Sequence, residues 1–321
     1  MSPRLLQQFL AIAELGSLTA AAATIGISQP ALTKSIRQLE GELGVQLFQR
    51  RPRGMALTPF GEILRRRARL MELEYRYAMT EIEALKGGHA GTLRIGAGPV
   101  WSLSYLPPAI VRLHERFPNA RIELQVGSGS MLIPALCEGE IDIYAGGLRD
   151  HAAHDLDLVQ EELAIIEHAV VTRADHPLTA LDEVTPAAMS VFPWILFPLD
   201  FESRQRLHAY FERVGLAPPR VVAETRSYAT GMALARQGDY LALLARPLVE
   251  EAAAHDLVAL PIAGTIDRFP SGVTYRRSAA ALPIAKALLA TLRALVAERQ
   301  RAPASALPGS EHLVEEAHGI A

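Results

Sequence analysis

Gln29, Thr33 and Arg37 recur every four residues, so on a helix they share one face, with Lys34 beside them. The chemistry of that set is the reading of a nucleic-acid duplex. A glutamine amide can pair bidentately with adenine, and a threonine can reach a base or phosphate while its methyl packs on thymine. Lys34 and Arg37 suit phosphate oxygens. Ser28 stands where a helix cap is needed, with Pro30 in the first turn after it. Arg50, Arg51 and Arg53 follow around Pro52 and Gly54, a basic cluster that can grip DNA backbone or an adjacent minor groove.

A second set lies further along. Gly127-Ser128-Gly129-Ser130 precedes an expected helix, and exposed amides and hydroxyls at a helix start favour an anion such as a carboxylate. Pro99-Val100-Trp101-Ser102 follows an expected strand in the same half, and Phe197-Pro198-Leu199 and Thr225-Arg226-Ser227-Tyr228 occupy like places in the next. Ligands of α/β sheets bind where strand ends meet helix starts. The predicted contacts are therefore Val100, Trp101, Ser102, Ser128, Gly129, Ser130, Phe197, Pro198, Arg226 and Tyr228, the arginine as a forked partner for a carboxylate and the aromatics for a partly apolar ligand.

Catalytic constellations are missing. The run 127–130 is not a GxSxG elbow, and Gly96-Ala97-Gly98 lacks the third glycine of a dinucleotide fingerprint. His151 and His154, flanked by Asp150 and Asp155, offer a metal-dependent enzyme on a DNA-binding arm as an alternative, but without the HExxH form. Cys137 offers a redox-responsive regulator as another; its neighbours Leu132, Ile133 and Leu136 favour an inert buried thiol. We therefore expect no enzyme, no cofactor and no metal.

Short helices must position the first set. Leu6, Phe9, Leu10 and Ala13 mark one helix ended by Gly16, and Ser17 or Thr19 starts a second ended by Gly26. Ser28 starts a third with an apolar stripe of Leu32, Ile36, Leu39 and Leu43, closed by Gly44. Only residues 25–28 separate helices two and three, a helix-turn-helix spacing, and residues 48–58 suggest a two-stranded wing. Residues 59–86 read as one long helix. Leu64, Ala68, Met71, Tyr75, Ala78, Ile82 and Leu85 alternate at spacings of four and three, which predicts a dimer seam. Residues 87–91 read as a hinge, after which strands and helices alternate.

Charge agrees with this division. Residues 1–70 hold ten Lys/Arg against four Glu, whereas the remainder holds 22 basic and 31 acidic residues, for a net −3 over 321 residues. A basic segment on an acidic body suggests a polyanion-binding module attached to something else. A single cysteine rules out an intramolecular disulfide framework. No uncharged run reaches the roughly 20 apolar residues of a membrane span, and the N-terminus reads poorly as a signal peptide, so a soluble cytoplasmic protein with no membrane partner is expected.

The sequence resembles the LysR-type bacterial transcriptional regulators. The match runs through Phe9-Leu10-Ala11-Ile12-Ala13-Glu14, Gly16-Ser17-Leu18, Ala21-Ala22, Ser28-Gln29-Pro30-Ala31-Leu32-Thr33, Leu47-Phe48-Gln49-Arg50 and Leu57-Thr58-Pro59-Phe60-Gly61. Weaker pieces, among them Phe117-Pro118-Asn119, Glu138-Gly139 and His176-Pro177-Leu178, carry it to about residue 300. The resemblance implies an α+β multidomain chain: an N-terminal winged helix-turn-helix (1–58), a dimerisation linker helix (59–86), a hinge (87–91), an α/β two-lobed, periplasmic-binding-protein-like effector domain (92–300) and a flexible tail (301–321). Lobe I would take residues 92–162 and 266–300, lobe II residues 163–265, with crossings near Leu163 and Thr265. It further implies Gln29 and the turn after it as the base-reading end, an inducer site on the loops at 99–102 and 127–130, and a homodimer that pairs into a homotetramer. The partners would be double-stranded DNA, a small-molecule effector, further copies of the chain, and RNA polymerase as an additional candidate.

Overall fold

The computed structural model describes residues 3–52, 54–86, 91–148, 157–197, 201–253 and 256–301. Arg53, Pro198, the hinge residues 87–90, the His151/His154 segment with Asp150 and Asp155, and the tail beyond Arg301 lie outside the described residues. The chain divides into two compact units, one of residues 1–88 with 137–140, the other of residues 89–136 with 141–321.

In the first unit, α1 (Pro3–Leu15), α2 (Leu18–Thr24) and α3 (Gln29–Leu43) are followed by a hairpin of β1 (Phe48–Arg51) and β2 (Gly54–Leu57), then by α4 (Pro59–Leu85). The expected starts are observed: Ser17 Oγ accepts from Ala20 N–H and Ser28 Oγ from Ala31 N–H, both at 3.3 Å. Gly26, at φ +71°, makes the turn between α2 and α3 in a conformation that side chains resist. Phe9, Ile12, Leu32, Ile36 and Leu39 close one core, with the Phe9 and Phe48 rings 5.3 Å apart. Leu43, read as part of the stripe, is exposed instead, because α3 ends at Gly44 one residue beyond it.

The long helix corrects the seam in part. Ala68 is fully buried and Leu64 half-buried, both against the helix-turn-helix core, so these two positions serve the chain's own domain. Met71, Tyr75, Ala78, Ile82 and Leu85 are exposed, Tyr75 by 64% and Leu85 by 89%. Phe60 (55% exposed) lies on the same stripe as Met71 and Ala78. A heptad pattern reports which face is apolar and does not report what covers it.

Among the described residues, the second unit is built on nine strands. β3 (Thr92–Ala97) lies between β4 (Arg121–Val126) and β5 (Ile143–Gly147), parallel to both, with α5 (Leu106–Arg116) and α6 (Gly129–Cys137) as connections. The second parallel set has β7 (Trp194–Leu196) between β8 (Val221–Glu224) and β9 (Leu241–Ala245), connected through α8 (Phe201–Glu212) and α9 (Tyr228–Arg236); a short α7 (Pro186–Ser190) precedes it. Two long strands not foreseen from the sequence join the sets. β6 (Leu158–Arg173) pairs antiparallel with β11 (Arg268–Arg276) through Glu167, then with β9 from His168. β11 also pairs with β5. α10 (Val249–Ala253) and β10 (Leu257–Ala259), which pairs with the end of β6, precede β11, and α11 (Pro283–Arg301) closes the chain. Among the described residues no helix is long and apolar enough to cross a membrane.

The register slips between Ser271 and Gly272 of β11, where Leu163 of β6 bulges out of the ladder. A second departure precedes α5. Residues Trp101–Tyr105, which overlap the end of the expected loop at 99–102, form a single π-helical turn, a geometry that is rare and concentrated at functional sites.

His176 caps the short turn Pro177–Ala180 by accepting Leu178 N–H on Nδ1 at 3.1 Å, with its ring 4.5 Å from that of Phe192. Burial pushes the imidazole below its ordinary pKa, against the pull of Asp239 and Asp175. Below pH ~6.5 the unfolded chain therefore binds this proton more readily than the folded one, and stability falls as pH falls. Thermal midpoints measured between pH 7.5 and 5.5 should drop more for the parent than for His176→Asn. Equal slopes would remove His176 from the pH dependence.

Candidate functional site

Gln29, Pro30, Lys34 and Arg37 are exposed on α3 and Thr33 is half-buried beneath them. Gln29 Nε2 donates to Thr33 Oγ1 at 3.2 Å, and Thr33 Oγ1 donates to the Gln29 carbonyl at 2.9 Å. The two candidate base readers thus brace one another, and Ser28 is engaged as the cap. The opposite face of the helix is fixed by Leu32, Ile36 and Leu39. Glu40 Oε1 accepts Leu47 N–H (2.8 Å) and Phe48 N–H (3.3 Å), which ties α3 to the first strand of the wing. Arg50 and Arg51 stand exposed on that strand, opposite Met55 and Gly54.

In the second unit, a cavity of about 770 Å³ collects Ser102, Ser128 and Ser130 from one parallel set and Arg226 and Tyr228 from the other. Five of the ten predicted contacts meet there. Ser128 and Ser130 hydroxyls lie 2.8 Å apart at the start of α6, and Ser102 Oγ donates to the Pro99 carbonyl at 3.0 Å. Val100, Trp101 and Gly129 instead line a cavity of about 40 Å³ next to it. Trp101 is fully buried: its Nε1–H donates to Ser271 Oγ at 2.8 Å, which donates on to the Gly146 carbonyl at 2.9 Å. An indole that spends its N–H inside the fold anchors the π-helical turn to β11. Phe197 lines neither cavity; it is 5% exposed, with its ring stacked on Tyr228.

The remaining wall is apolar: Leu103, Leu124, Val126 and Met131, all more than 40% exposed, none foreseen as site residues. Leu124 and Val126 alternate with Glu123 and Gln125 along β4, and that period of two was the signal available for them. The π-helical turn also reaches the second parallel set. Ser104 Oγ donates to the Pro247 carbonyl at 3.1 Å, and Arg299 Nη2 donates to the same oxygen at 3.2 Å with its guanidinium over the Tyr105 ring.

Cys137, the last residue of α6, is half-buried. Among the described residues no group of three or more His, Cys, Asp or Glu is placed to hold a metal ion.

A winged helix-turn-helix joined to a two-part α/β domain with a cleft is the construction of a DNA-binding transcriptional regulator that carries an effector-binding domain. Residues 3–62 match the family model described as bacterial regulatory helix-turn-helix protein, lysR family, and residues 86–297 match the LysR substrate binding domain. The chain belongs to the LysR family of transcriptional regulators. It is 32% identical over 294 residues to the HTH-type transcriptional regulator GbpR of Azospirillum brasilense, covering 91% of this chain and 85% of that protein. The fold is similar to full-length CbnR, a structure solved in complex with its target DNA (TM-score 0.63, 20% identity, 92% of this chain and 100% of that one). It is also similar to a full-length OxyR variant from Pseudomonas aeruginosa (TM-score 0.68, 22% identity, 92% and 94%). Its family consists of regulators and not of enzymes.

Proposed function

We propose that this regulator reads an operator with α3 and its wing, as a dimer joined along the exposed part of α4, and that a small carboxylate in the 770 Å³ cavity sets the spacing of its two DNA-reading helices. The observation that carries this reading is the convergence of three serines and one arginine, with an apolar wall, on a single cavity formed from both parallel strand sets. Arg226 and the α6 start supply charge and hydrogen bonds for the carboxylate; Leu103, Leu124, Val126 and Met131 take its body. We divide the domain into lobe I (92–162 and 266–300) and lobe II (163–265); the change of partner along β6 at Glu167/His168, a few residues past Leu163, supports a crossing in this stretch of the strand. A ligand biases such a switch only through its difference in affinity for the two states.

On DNA, Gln29 and Thr33 read bases, Pro30 shapes the first turn, and Lys34, Arg37, Arg50, Arg51 and Arg53 neutralise phosphates. Two such modules read half-sites about 34–36 Å apart or a multiple of that. Mobility shift with DNA flanking the coding region, at several salt concentrations, tests the reading. The logarithm of affinity should fall with the logarithm of salt by about 0.9 per phosphate contact. Arg50→Ala with Arg51→Ala should weaken specific and competitor DNA alike and make that slope shallower by about 1.8. An unchanged slope would remove the wing from the interface.

A further inference from the structure

Phe197 and Tyr228 form a near-parallel stack, with ring centroids 4.4 Å apart and planes 3° from each other. Phe197 is buried behind, at the end of β7, and Tyr228 is half-exposed in the cavity wall at the start of α9. Phe197 occupies space that only a glycine leaves. A Cβ on Gly231, one turn into α9, would lie 2.3 Å and 2.4 Å from two atoms of the Phe197 ring and 3.3 Å from the Thr225 methyl. The loop between strand and helix is tied down as well. Thr225 N–H donates to the Leu196 carbonyl at 3.1 Å, Ser227 N–H donates to Thr225 Oγ1 at 3.1 Å, and Ser227 Oγ caps α9 by accepting Thr230 N–H at 3.2 Å. Tyr228, with one ring face stacked on Phe197, is part of the cavity lining. Arg226, two residues earlier, places a guanidinium on the same wall.

We infer that this wall is an aromatic platform, levelled by Phe197 and seated by Gly231, and that it selects a flat, conjugated carboxylate over a puckered or open-chain one. This deepens the effector reading above and rests on it. Phe197 is a positioning residue: it touches no ligand and acts by fixing the plane of Tyr228. A flat ring on that platform gains an oriented stacking contact beyond the area it buries, whereas a saturated ring of the same skeleton buries area alone.

The test compares 2-naphthoate with decahydronaphthalene-2-carboxylate, which share charge and carbon skeleton, by calorimetric titration of the full chain. The flat acid should bind about three- to tenfold tighter. Tyr228→Phe should keep that preference. Tyr228→Leu and Phe197→Leu should bring the two affinities together while leaving the saturated acid nearly unchanged, a shift in ratio that general damage to the fold would not produce. Equal affinities in the parent, or a preference that survives Tyr228→Leu, overturns the platform. In that case the effector cleft stands so long as both acids bind and both weaken in Arg226→Ala. Binding of neither acid overturns the platform and the carboxylate reading together.

Discussion

Replacing Tyr75 and Ile82 together by glutamate is expected to leave a folded monomer that binds its operator about a hundredfold or more weaker than the parent. Both side chains stand in solvent, 64% and 44% exposed, so a single chain loses no core contact when they change. Isolated apolar side chains on a surface are ordinary, but here Met71, Tyr75, Ala78, Ile82 and Leu85 repeat at spacings of four and three on one helix. Charges placed on such a seam face like charges from the second copy and lose their hydration there. Binding of two half-sites then ceases to be intramolecular, and the avidity of the linked pair is lost. Sedimentation and circular dichroism separate the outcomes. A dimer that persists would place the interface elsewhere, and a monomer with parental affinity would show that one module suffices for the operator.

Gly272→Ala is the second large effect, and it acts on the effector domain. The added methyl would lie 2.0 Å from the Glu161 carbonyl oxygen and 3.0 Å from Leu163 N, atoms of the neighbouring backbone that no rotamer change can move. The cause is the bulge, since the extra residue on β6 drives the Glu161 carbonyl onto the Cα of its partner strand. Relief requires the two strands to part where they pass between the parallel sets. A cost of about 3 kcal/mol is expected, at the upper end for overpacking, and in a domain of this size that lowers the thermal midpoint by roughly 6–12 °C. Gly264→Ala is the control: a methyl added there meets no atom within 4 Å, and the φ of +73° gives a conformational cost with no steric clash. If Gly272→Ala melted like the parent, the strands would have to yield at the bulge without penalty.

The helix-turn-helix was legible because its signals are local. Ser28 and Pro30 start α3, Gly26 and Gly44 end helices, and Leu32, Ile36 and Leu39 face inward at helical spacing. β6 and β11 were not legible. Glu161, Glu162 and Glu167 interrupt the apolar pattern of one, Pro270 and Gly272 that of the other, and both owe their form to partners distant in sequence. The cleft was half legible. Glycine, serine and arginine at strand ends pointed to Ser102, Ser128, Ser130, Arg226 and Tyr228. Type alone could not tell that Trp101 and Phe197 serve behind the wall, nor that Leu103 and Met131 stand in it, because burial of an aromatic or an aliphatic residue is decided by tertiary packing.

The π-helical turn binds two design variables into one. Ser102 and Leu103 shape the chamber, Ser104 on the same five-residue turn holds the Pro247 carbonyl across the cleft, and Trp101 is pinned to the bulged strand. A π turn contains one residue more than the α geometry would use. Deleting a residue there is accordingly a rotation of the chamber wall by about 100° rather than a shortening of it. Under the effector reading proposed above, a biosensor obtained by randomising Ser102 and Leu103 is expected to change its background signal along with its analyte, so selection for a low background belongs in the same round as selection for recognition.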